Sequence, residues 1–339
     1  MSRPARGAYS GAVGGHTRLV AGLTLITAVL TSGLGGPAEA GGGAPPGAER
    51  AARPDRPVAI AVTRGGTTYV GSADGGSLAR ISGEGRSLSR VRLVRDGPVV
   101  ALAATSAGNV WVDQGVSVSL VSPRGRTKRS FDLAEPEGCA LQPSRYGGIA
   151  AAGRRLYVAS ACRSALDVYT REGVLRASVP LPGGLPRGVA WGRAQAGQPA
   201  RVFVTMPDNR RLVAYDASDL REESVPLRTL KVAQPRRGHR PVPTGVVADR
   251  WGQVVVADAH NHALYVYDAN HAFSHYRTLG HPPRSRGPGT IAQPVALAQH
   301  VQDGKTYAGN LFIADAGRAR VQRWDTLGRT YWSRGVRLP

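Results

Sequence analysis

The segment from Pro243 to Asp268, PTGVVADRWGQVVVADAHNHALYVYD, constrains the fold more than any other part of the chain. It contains three apolar runs, Gly245–Ala248, Val254–Ala257 and Leu264–Tyr267, which are separated by turn-forming polar residues. Runs of this length and composition predict three short strands in a meander. A three-stranded meander cannot bury both of its faces by itself. The chain must therefore supply further sheets that cover it.

The middle strand of this meander recurs along the chain, with centres 42 to 57 residues apart. A small strand rich in Ala and Gly precedes each copy, and two further strands follow it. Six copies of four strands predict an all-β fold: a six-bladed β-propeller with four antiparallel strands per blade, whose small inner strands converge on a central channel. The copies read TTYVGS, NVWVDQ, RLYVAS, RVFVTM, QVVVAD and NLFIAD, around Tyr69, Trp111, Tyr157, Phe203, Val255 and Phe312.

The first blade is predicted to begin on its inner strand and the last blade to end on its outer strand. No strand is then exchanged between the termini, so we expect side-chain packing between blades one and six to close the ring. The predicted inner strands are Val58–Val62, Val99–Ala103, Gly148–Ala151, Gly188–Trp191, Gly245–Ala248 and Val295–Ala298. The predicted outer strands are Ser89–Val94, Thr127–Leu133, Gly173–Pro180, Arg228–Val232, His275–Leu279 and Tyr331–Val336.

The pattern Pro-x-Gly-Val-x-x-Asp-x-x-Gly-x-Val-x-Val-Ala-Asp-x-x-Asn in Pro243–Asn261 resembles an NHL repeat, and Asn310–Asp325 matches its second half. The resemblance extends over residues 57–339. It implies a six-bladed propeller related to peptidyl-amidoglycolate lyases, SMP-30-like lactonases, strictosidine synthase-like proteins and non-catalytic NHL domains. Because one fold serves all of these functions, the resemblance does not select among them.

The first 40 residues are predicted to be a signal peptide. Arg3, Arg6 and Arg18 precede the apolar run Leu19–Leu34, and Ala38-Glu39-Ala40 has the form of a cleavage site. An uncleaved anchor is the alternative. Residues 41–56, rich in Gly, Ala, Pro and Arg, are predicted to form a flexible leader, and residues 57–339 the propeller. We therefore expect a secreted or extracytoplasmic monomer without a transmembrane segment once the leader is removed.

The chain has two cysteines, Cys139 and Cys162. In an exported protein an even number of cysteines predicts a disulfide, and the propeller topology brings both to the same face. Such a bond would stabilise the fold by roughly 3 kcal/mol; a reactive or metal-binding pair is the alternative. The surrounding sequence also resembles a blade of the peptide-amidating lyases, in which a catalytic tyrosine precedes the second cysteine. Here that position is Ala161, so the lyase chemistry is not supported.

Seven of the eight histidines lie between His239 and His300. By the blade topology, four should share the face of the cysteines, where they could recruit Zn²⁺ or another divalent metal such as Ca²⁺. The alternative, which we favour, is that they are solvated loop residues and that no cofactor is bound. The zinc-binding positions of the amidating lyases correspond here to Thr244 and Pro294. The four histidines are His239, His260, His262 and His281, whereas His271, His275 and His300 should lie on the opposite face.

Asp258 and Asp315 occupy the same position of the repeat. They could be metal ligands or general acids, but a shared repeat position favours a structural role. We expect each carboxylate to accept hydrogen bonds from the following turn, or to pair with Arg318 or Arg320.

Positive charge is the remaining feature. The chain without residues 1–40 keeps 41 basic and 22 acidic residues, a formal charge of +19. Arginines concentrate in the two long loops that enter blades five and six, and a basic face attracts polyanions; a generic solvated surface is the alternative. No aromatic residues are interleaved for base stacking, so sequence-specific nucleic-acid binding is not expected. The predicted ligand-binding residues are Arg236, Arg237, Arg240, His260, His262, Arg284 and Arg286.

Two functional hypotheses remain open. The first is a module that binds an unidentified protein or an anionic cell-envelope polymer, with salt-sensitive affinity and no metal. The second is a metal-assisted lyase or lactonase at the channel mouth, which requires a divalent ion and converging His, Asp or Glu side chains. No catalytic residue or metal-ligand set is identifiable in the sequence, which favours the first hypothesis.

Overall fold

The computed structural model describes residues 56–336 except Asp74, 135–146, Ala196, 234–238, 281–288, 301–309 and Thr326. Six sheets of four antiparallel strands account for nearly all of the regular structure, and each sheet uses four successive strands. The predicted all-β, six-bladed propeller is therefore confirmed. The predicted signal peptide lies outside the described residues, as does the leader apart from Arg56. Within the described ranges, no helix is both long enough and apolar enough to span a bilayer.

The blades follow one another along the chain, each running from the inner strand to the outer strand. Blade one is β1–β4, at Pro57–Val62, Thr68–Ser72, Ser77–Ile81 and Val91–Arg92, and blade two is β5–β8, at Ala101–Ala104, Val110–Asp113, Ser117–Val121 and Thr127–Asp132. Blade three is β9–β12, at Ile149–Ala152, Arg155–Ser160, Ala165–Thr170 and Leu175–Pro180, and blade four is β13–β16, at Gly188–Gly192, Arg201–Met206, Arg211–Asp216 and Arg228–Lys231. Blade five is β17–β20, at Pro243–Ala248, Gln253–Asp258, Ala263–Asp268 and Ser274–Leu279, and blade six is β21–β24, at Pro294–His300, Asn310–Asp315, Arg320–Trp324 and Thr330–Gly335.

The predicted strands agree with the structure to within a few residues, except in the outer strand of blade one. That strand was predicted over Ser89–Val94 but is regular only at Val91–Arg92. Isolated backbone hydrogen bonds continue the pairing on both sides, from Leu88 N–H to Arg80 O at 2.8 Å and from Leu93 N–H to Gly76 O at 2.7 Å. The outer segment of blade one is therefore paired with the third strand, but through irregularly spaced hydrogen bonds.

The inner strands approach one another closely at one level of the channel, where every blade carries Ala or Gly. A Cβ atom on Gly245 would lie 2.7 Å from Leu297 N, and one on Gly148 would lie 2.8 Å from Val189 N. A Cβ atom on Gly188 would collide with the carbonyl oxygen of Thr244. These obstacles are backbone atoms of the next blade, so they cannot move aside independently. The six residues form what we call the small-residue ring: Ala59, Ala101, Gly148, Gly188, Gly245 and Ala296.

The hydrophobic core is divided among the blade interfaces, and each of the six interfaces has its own cluster of buried side chains. The second strands contribute the largest residues, such as Trp111 between blades two and three and Phe203 between blades four and five. Because a strand presents alternate side chains to its two faces, each strand serves two interfaces. The burial of apolar surface between neighbouring blades therefore holds the ring together.

Among the described strands, the ring closes without strand exchange, as predicted. The interface between blades one and six contains a buried cluster that includes Ile60, Phe312 and Val321. Trp332 Nε1 donates a hydrogen bond to Gly83 O at 3.0 Å, and the Arg323 guanidinium donates to the same carbonyl. Side chains of blade six therefore fasten directly onto a turn of blade one.

Buried tyrosines of the third strands add a second connection between successive blades. Tyr169 and Tyr267 accept hydrogen bonds from the backbone N–H groups of Ala134 and Ala233, at 3.0 and 2.9 Å, where the chain leaves the preceding blade. Tyr215 donates to Pro180 O at 3.2 Å in the preceding blade. Burial raises the pKa of Tyr215 from 10.0 to about 12.

The antiparallel strands define two faces of the propeller. One, here called the loop face, carries the connections between blades and those between second and third strands. The other, here called the turn face, carries the connections between first and second strands and those between third and fourth strands. His239, His260 and His262 lie at the loop face and His271 and His300 at the turn face, as the topology predicted.

We expect Gly245→Ala to destabilise the propeller by about 1–3 kcal/mol, because its methyl group would overlap backbone atoms of blade six. Urea unfolding followed by circular dichroism would measure the loss. Gly65→Ala is the matched control, since no heavy atom lies within 4 Å of the added Cβ. Equal stabilities of the two variants would contradict the close approach of the inner strands.

We expect Tyr267→Phe to cost about 1 kcal/mol at pH 7, because it leaves the Ala233 N–H without its acceptor. Burial raises the pKa of Tyr267 to about 12, so the native state keeps a proton that the unfolded chain releases above pH 10.0. The stability linked to this proton is complete below pH 10.0 and is lost as the pH rises through about 12. The variant should therefore lose less stability than the wild type between these pH values. Tyr276→Phe, at an exposed tyrosine, should match the wild type throughout.

Candidate functional site

The predicted ligand-binding residues of the loop face are only partly described. Arg236, Arg237, Arg284 and Arg286 lie outside the described residues, as does His281. Arg240, His260 and His262 are described. The rings of His239 and His260 have centroids 6.4 Å apart. His262 Nδ1 contacts the carbonyl oxygen of Ala292, so this side chain fastens the segment that leads into blade six.

Within the described ranges, no group of three or more His, Cys, Asp or Glu side chains is placed to hold a metal ion. Cys162 lies in the connection between β10 and β11 on the loop face, whereas Cys139 lies outside the described residues. The Cys139–Cys162 disulfide therefore stays a prediction.

Asp258 has the structural role that its repeat position predicted. Its Oδ1 accepts hydrogen bonds from the backbone N–H groups of Val242, His260 and Asn261 at 2.9–3.1 Å. Its Oδ2 accepts from Asn261 Nδ2 at 2.6 Å and from Tyr265 Oη at 3.2 Å. The carboxylate therefore joins the turn after β18 to the segment that enters blade five.

Asp315 has the same role in blade six. Its Oδ1 accepts from the N–H groups of Ala292 and Gln293 at 3.1 and 2.8 Å, and its Oδ2 accepts from Arg320 Nε at 3.1 Å. The predicted pairing with Arg320 is thus confirmed, with Asp315 fully buried.

A cavity of about 530 Å³ opens at the centre of the turn face, on the side of the propeller opposite the predicted site. Described residues of five blades line it, and blade three contributes none of them. We call this cavity the arginine mouth, because three arginines lie in its wall. Its described lining consists of Val62, Thr63, Arg64, Ala104, Thr105, Ser106, Trp191, Arg193, Ala248, Asp249, Arg250, Gln299 and His300.

The three arginines occupy one position of the repeat. Each is the fifth residue after the small-residue ring: Arg64 after Ala59, Arg193 after Gly188 and Arg250 after Gly245. Blades two and three have Ser106 and Gly153 at this position, and the residue of blade six lies outside the described ranges. The ring fixes the height of every inner strand, so equivalent positions lie at the same level around the channel. The arginines of three blades therefore converge on one opening.

The turns that carry Arg64 and Arg250 are built in the same way. Thr63 N–H donates to Thr67 O and Asp249 N–H donates to Gln253 O, both at 2.9 Å. Asp249 Oδ1 also accepts from the N–H groups of Trp251 and Gln253 at 2.8 Å. The residue before each arginine thus closes the turn, which leaves the arginine side chain to line the cavity.

Contacts with neighbouring groups position two of the arginines. His300 Nε2 donates to the carbonyl oxygen of Arg64 at 2.8 Å, which ties the blade-one turn to blade six. The guanidinium of Arg250 lies 4.4 Å from the ring centroid of Trp251, a cation–π contact. Arg193 is exposed at the rim of the cavity.

The described lining of the arginine mouth is electropositive. Asp249 is the one acidic residue of its described lining, and its Oδ1 is engaged in the turn. Burial raises the pKa of the Asp249 carboxyl group against the opposing effect of the N–H groups that it accepts from. Trp191 adds a half-buried indole, and Gln299 and Ser106 add neutral polar groups. This arrangement suits a ligand that has an anionic group and further polar groups.

Sequence reasoning missed the arginine mouth because it looked for charges that are close together in the chain. Arg64, Arg193 and Arg250 lie in three different repeats, and none belongs to a run of basic residues. The pattern becomes visible when the repeats are aligned on the small-residue ring, because arginine then appears at the same position in three copies.

Comparisons with known proteins confirm the fold. The chain is similar to a virginiamycin B lyase from Staphylococcus aureus, with 14% identity, a TM-score of 0.57, and coverage of 85% of this chain and 87% of that one. It is also similar to a protein of unknown function from Bacteroides caccae, with 14% identity, a TM-score of 0.56, and coverage of 78% and 92%. The hydrazine synthase of Kuenenia stuttgartiensis gives 14% identity, a TM-score of 0.54, and coverage of 84% and 99%. No family model and no curated protein matches the sequence. At these identities the similarity shows the propeller fold alone.

Proposed function

We propose that this protein is an exported binding module, with NHL-type repeats, that recognises an anionic ligand or cell-envelope partner at the arginine mouth. The observation that carries the proposal is the convergence of Arg64, Arg193 and Arg250 on one cavity of about 530 Å³. A cavity of this size is in the range of small-molecule sites. Guanidinium groups suit phosphate and carboxylate because they can donate two parallel hydrogen bonds.

The mutual repulsion of these arginines costs folding free energy, and a binding role would explain why the protein tolerates that cost. Cations that share one opening repel one another, and the low dielectric of the surrounding protein concentrates their field. Among the described lining residues, Asp249 is the one acidic side chain, and its Oδ1 accepts hydrogen bonds within its own turn. The fold does not require arginine at this position, because Ser106 occupies it in blade two on a turn closed in the same way, with Thr105 N–H donating to Asn109 O at 2.8 Å.

The alternative is a metal-assisted lyase or lactonase at the loop-face mouth of the channel. The similarity to a virginiamycin B lyase motivates it, although at 14% identity that similarity concerns the fold. The space between the inner strands is small, about 50 Å³, and its described lining is apolar apart from Arg187 and backbone groups. The predicted loop-face residues stay a separate prediction. The arginine mouth is the better supported site.

We expect Arg193→Ala to weaken the binding of a small probe anion, pyrophosphate, about five- to tenfold, which corresponds to roughly 1–1.4 kcal/mol. Isothermal titration calorimetry at about 50 mM salt would measure the affinity. Arg64→Ala and Arg250→Ala should have similar effects, and binding by the wild type should weaken as salt is added.

Arg329→Ala is the matched control, because it removes the same charge from an exposed turn on the same face, outside the cavity. It should bind pyrophosphate as the wild type does. Equal losses in the Arg193 and Arg329 variants would show that only net charge matters, and would overturn the proposed site.

A further inference from the structure

The wall of the arginine mouth is uneven, and its lowest side is at blade three. There the connection between the first and second strands consists of Gly153 and Arg154 alone. The corresponding connections have five residues in blades one and two, eight in blade four, four in blade five and nine in blade six. Blade three is also the blade with no residue in the described lining of the cavity. A ligand too long for the cavity would meet the least obstruction on this side.

A row of arginines, joined in part by backbone contacts, begins at this low side. Arg171 N–H, in the outer turn of blade three, donates to the Arg154 carbonyl oxygen at 3.2 Å. Arg129, in the outer strand of blade two, donates from Nη1 to the Arg171 carbonyl oxygen at 2.9 Å. Arg126 and Arg124 lie in the turn just before that strand. We call these five residues the basic rim; it runs from the mouth across blade three to blade two.

The charge of the basic rim is largely uncompensated. One of its arginines, Arg129, pairs with Glu172 at 3.1 Å. The side chains of Arg124, Arg126 and Arg154 are exposed, and none of them forms an ion pair with another described residue. The corresponding turn of blade four has the opposite character. It carries Asp219, Glu222 and Glu223 against Arg221, which pairs with Asp219 at 2.6 Å, and Asp216 ends the strand before it.

We propose that the ligand of the arginine mouth is a linear polyanion linked through phosphate groups, with one unit held in the mouth and the following units leaving over blade three along the basic rim. This inference rests on the proposed function of the mouth and adds the polymeric nature and the direction of the ligand. The acidic turn of blade four repels a polyanion that leaves on that side, so the polymer is directed over blade three towards blade two. Phosphate-linked cell-wall polymers of the teichoic type have this chemistry.

Two features favour phosphate-linked chains over other acidic polymers. Each tetrahedral phosphate presents several oxygens and can bridge two guanidinium groups, which suits a strip of arginines. The chain must also bend from the mouth onto the rim, which a flexible phosphate-linked backbone does more easily than a stiff polyuronate. A single-stranded nucleic acid would use a series of aromatic side chains for base stacking. The rim contains none, and the exposed ring of Trp251 beside the mouth is in contact with the Arg250 guanidinium.

The test compares pyrophosphate, tripolyphosphate and polyphosphate chains of increasing length as titrants of the mature protein. For the wild type, affinity per chain should rise at least tenfold from pyrophosphate to the long chains. In the double variant Arg126→Ala/Arg154→Ala most of this gain should disappear, while pyrophosphate affinity stays unchanged. The slope of log affinity against log salt for the long chain should fall by about 1 to 2.

The matched control is Arg86→Ala/Arg329→Ala, which removes two arginines from outer turns of blades one and six on the same face. It should keep the gain with chain length. If both double variants lose the gain equally, the rim has no directional role and the inference is wrong. If pyrophosphate binds at the arginine mouth but chain length brings no gain, the proposed function stands and the polymer inference fails. Tighter binding of polygalacturonate or single-stranded DNA than of polyphosphate would also overturn it.

Discussion

The close approach of the inner strands is the constraint on which the rest of the propeller depends. At one level of the channel, the blades meet through Ala or Gly, and at Gly188 and Gly245 backbone of the next blade occupies the place of a side chain. This contact sets the radius of the ring. The radius in turn sets how far the second strands lie from the axis, where residues such as Trp111 fill the wedge between neighbouring blades. Larger inner residues would push the blades apart and expose those cores.

The same ring separates the two ends of the molecule. The space between the inner strands is about 50 Å³, whereas the arginine mouth is about 530 Å³. A ligand of ordinary size therefore occupies one face and does not pass through. The consequence is that the loop face and the turn face are independent surfaces, which a single chain can use for different partners.

Features that depend on spacing along the chain could be predicted from the sequence. The repeat gave the blade number and the strand order, and the shared position of Asp258 and Asp315 indicated their structural role, which the hydrogen bonds confirm. The arginine mouth could not be found in this way, because its members are brought together by the closure of the ring. The outer strand of blade one was predicted to be longer than it is, since its irregular pairing depends on local backbone geometry that composition does not encode.

The arrangement of the mouth shows why a propeller can carry charge at its axis without losing its fold. In blades one and five, the residue before the arginine closes the turn through its backbone N–H, and in blade five also through its carboxylate. The next position, which holds the arginine, is therefore not needed to close the turn. Ser106 occupies it in blade two and Gly153 in blade three. The charge at each blade can thus be set separately, and the short connection of blade three, which carries no arginine at this position, gives the opening a direction. Each arginine lies on a separate surface turn, so its charge can be accommodated without changing the hydrophobic core between the blades.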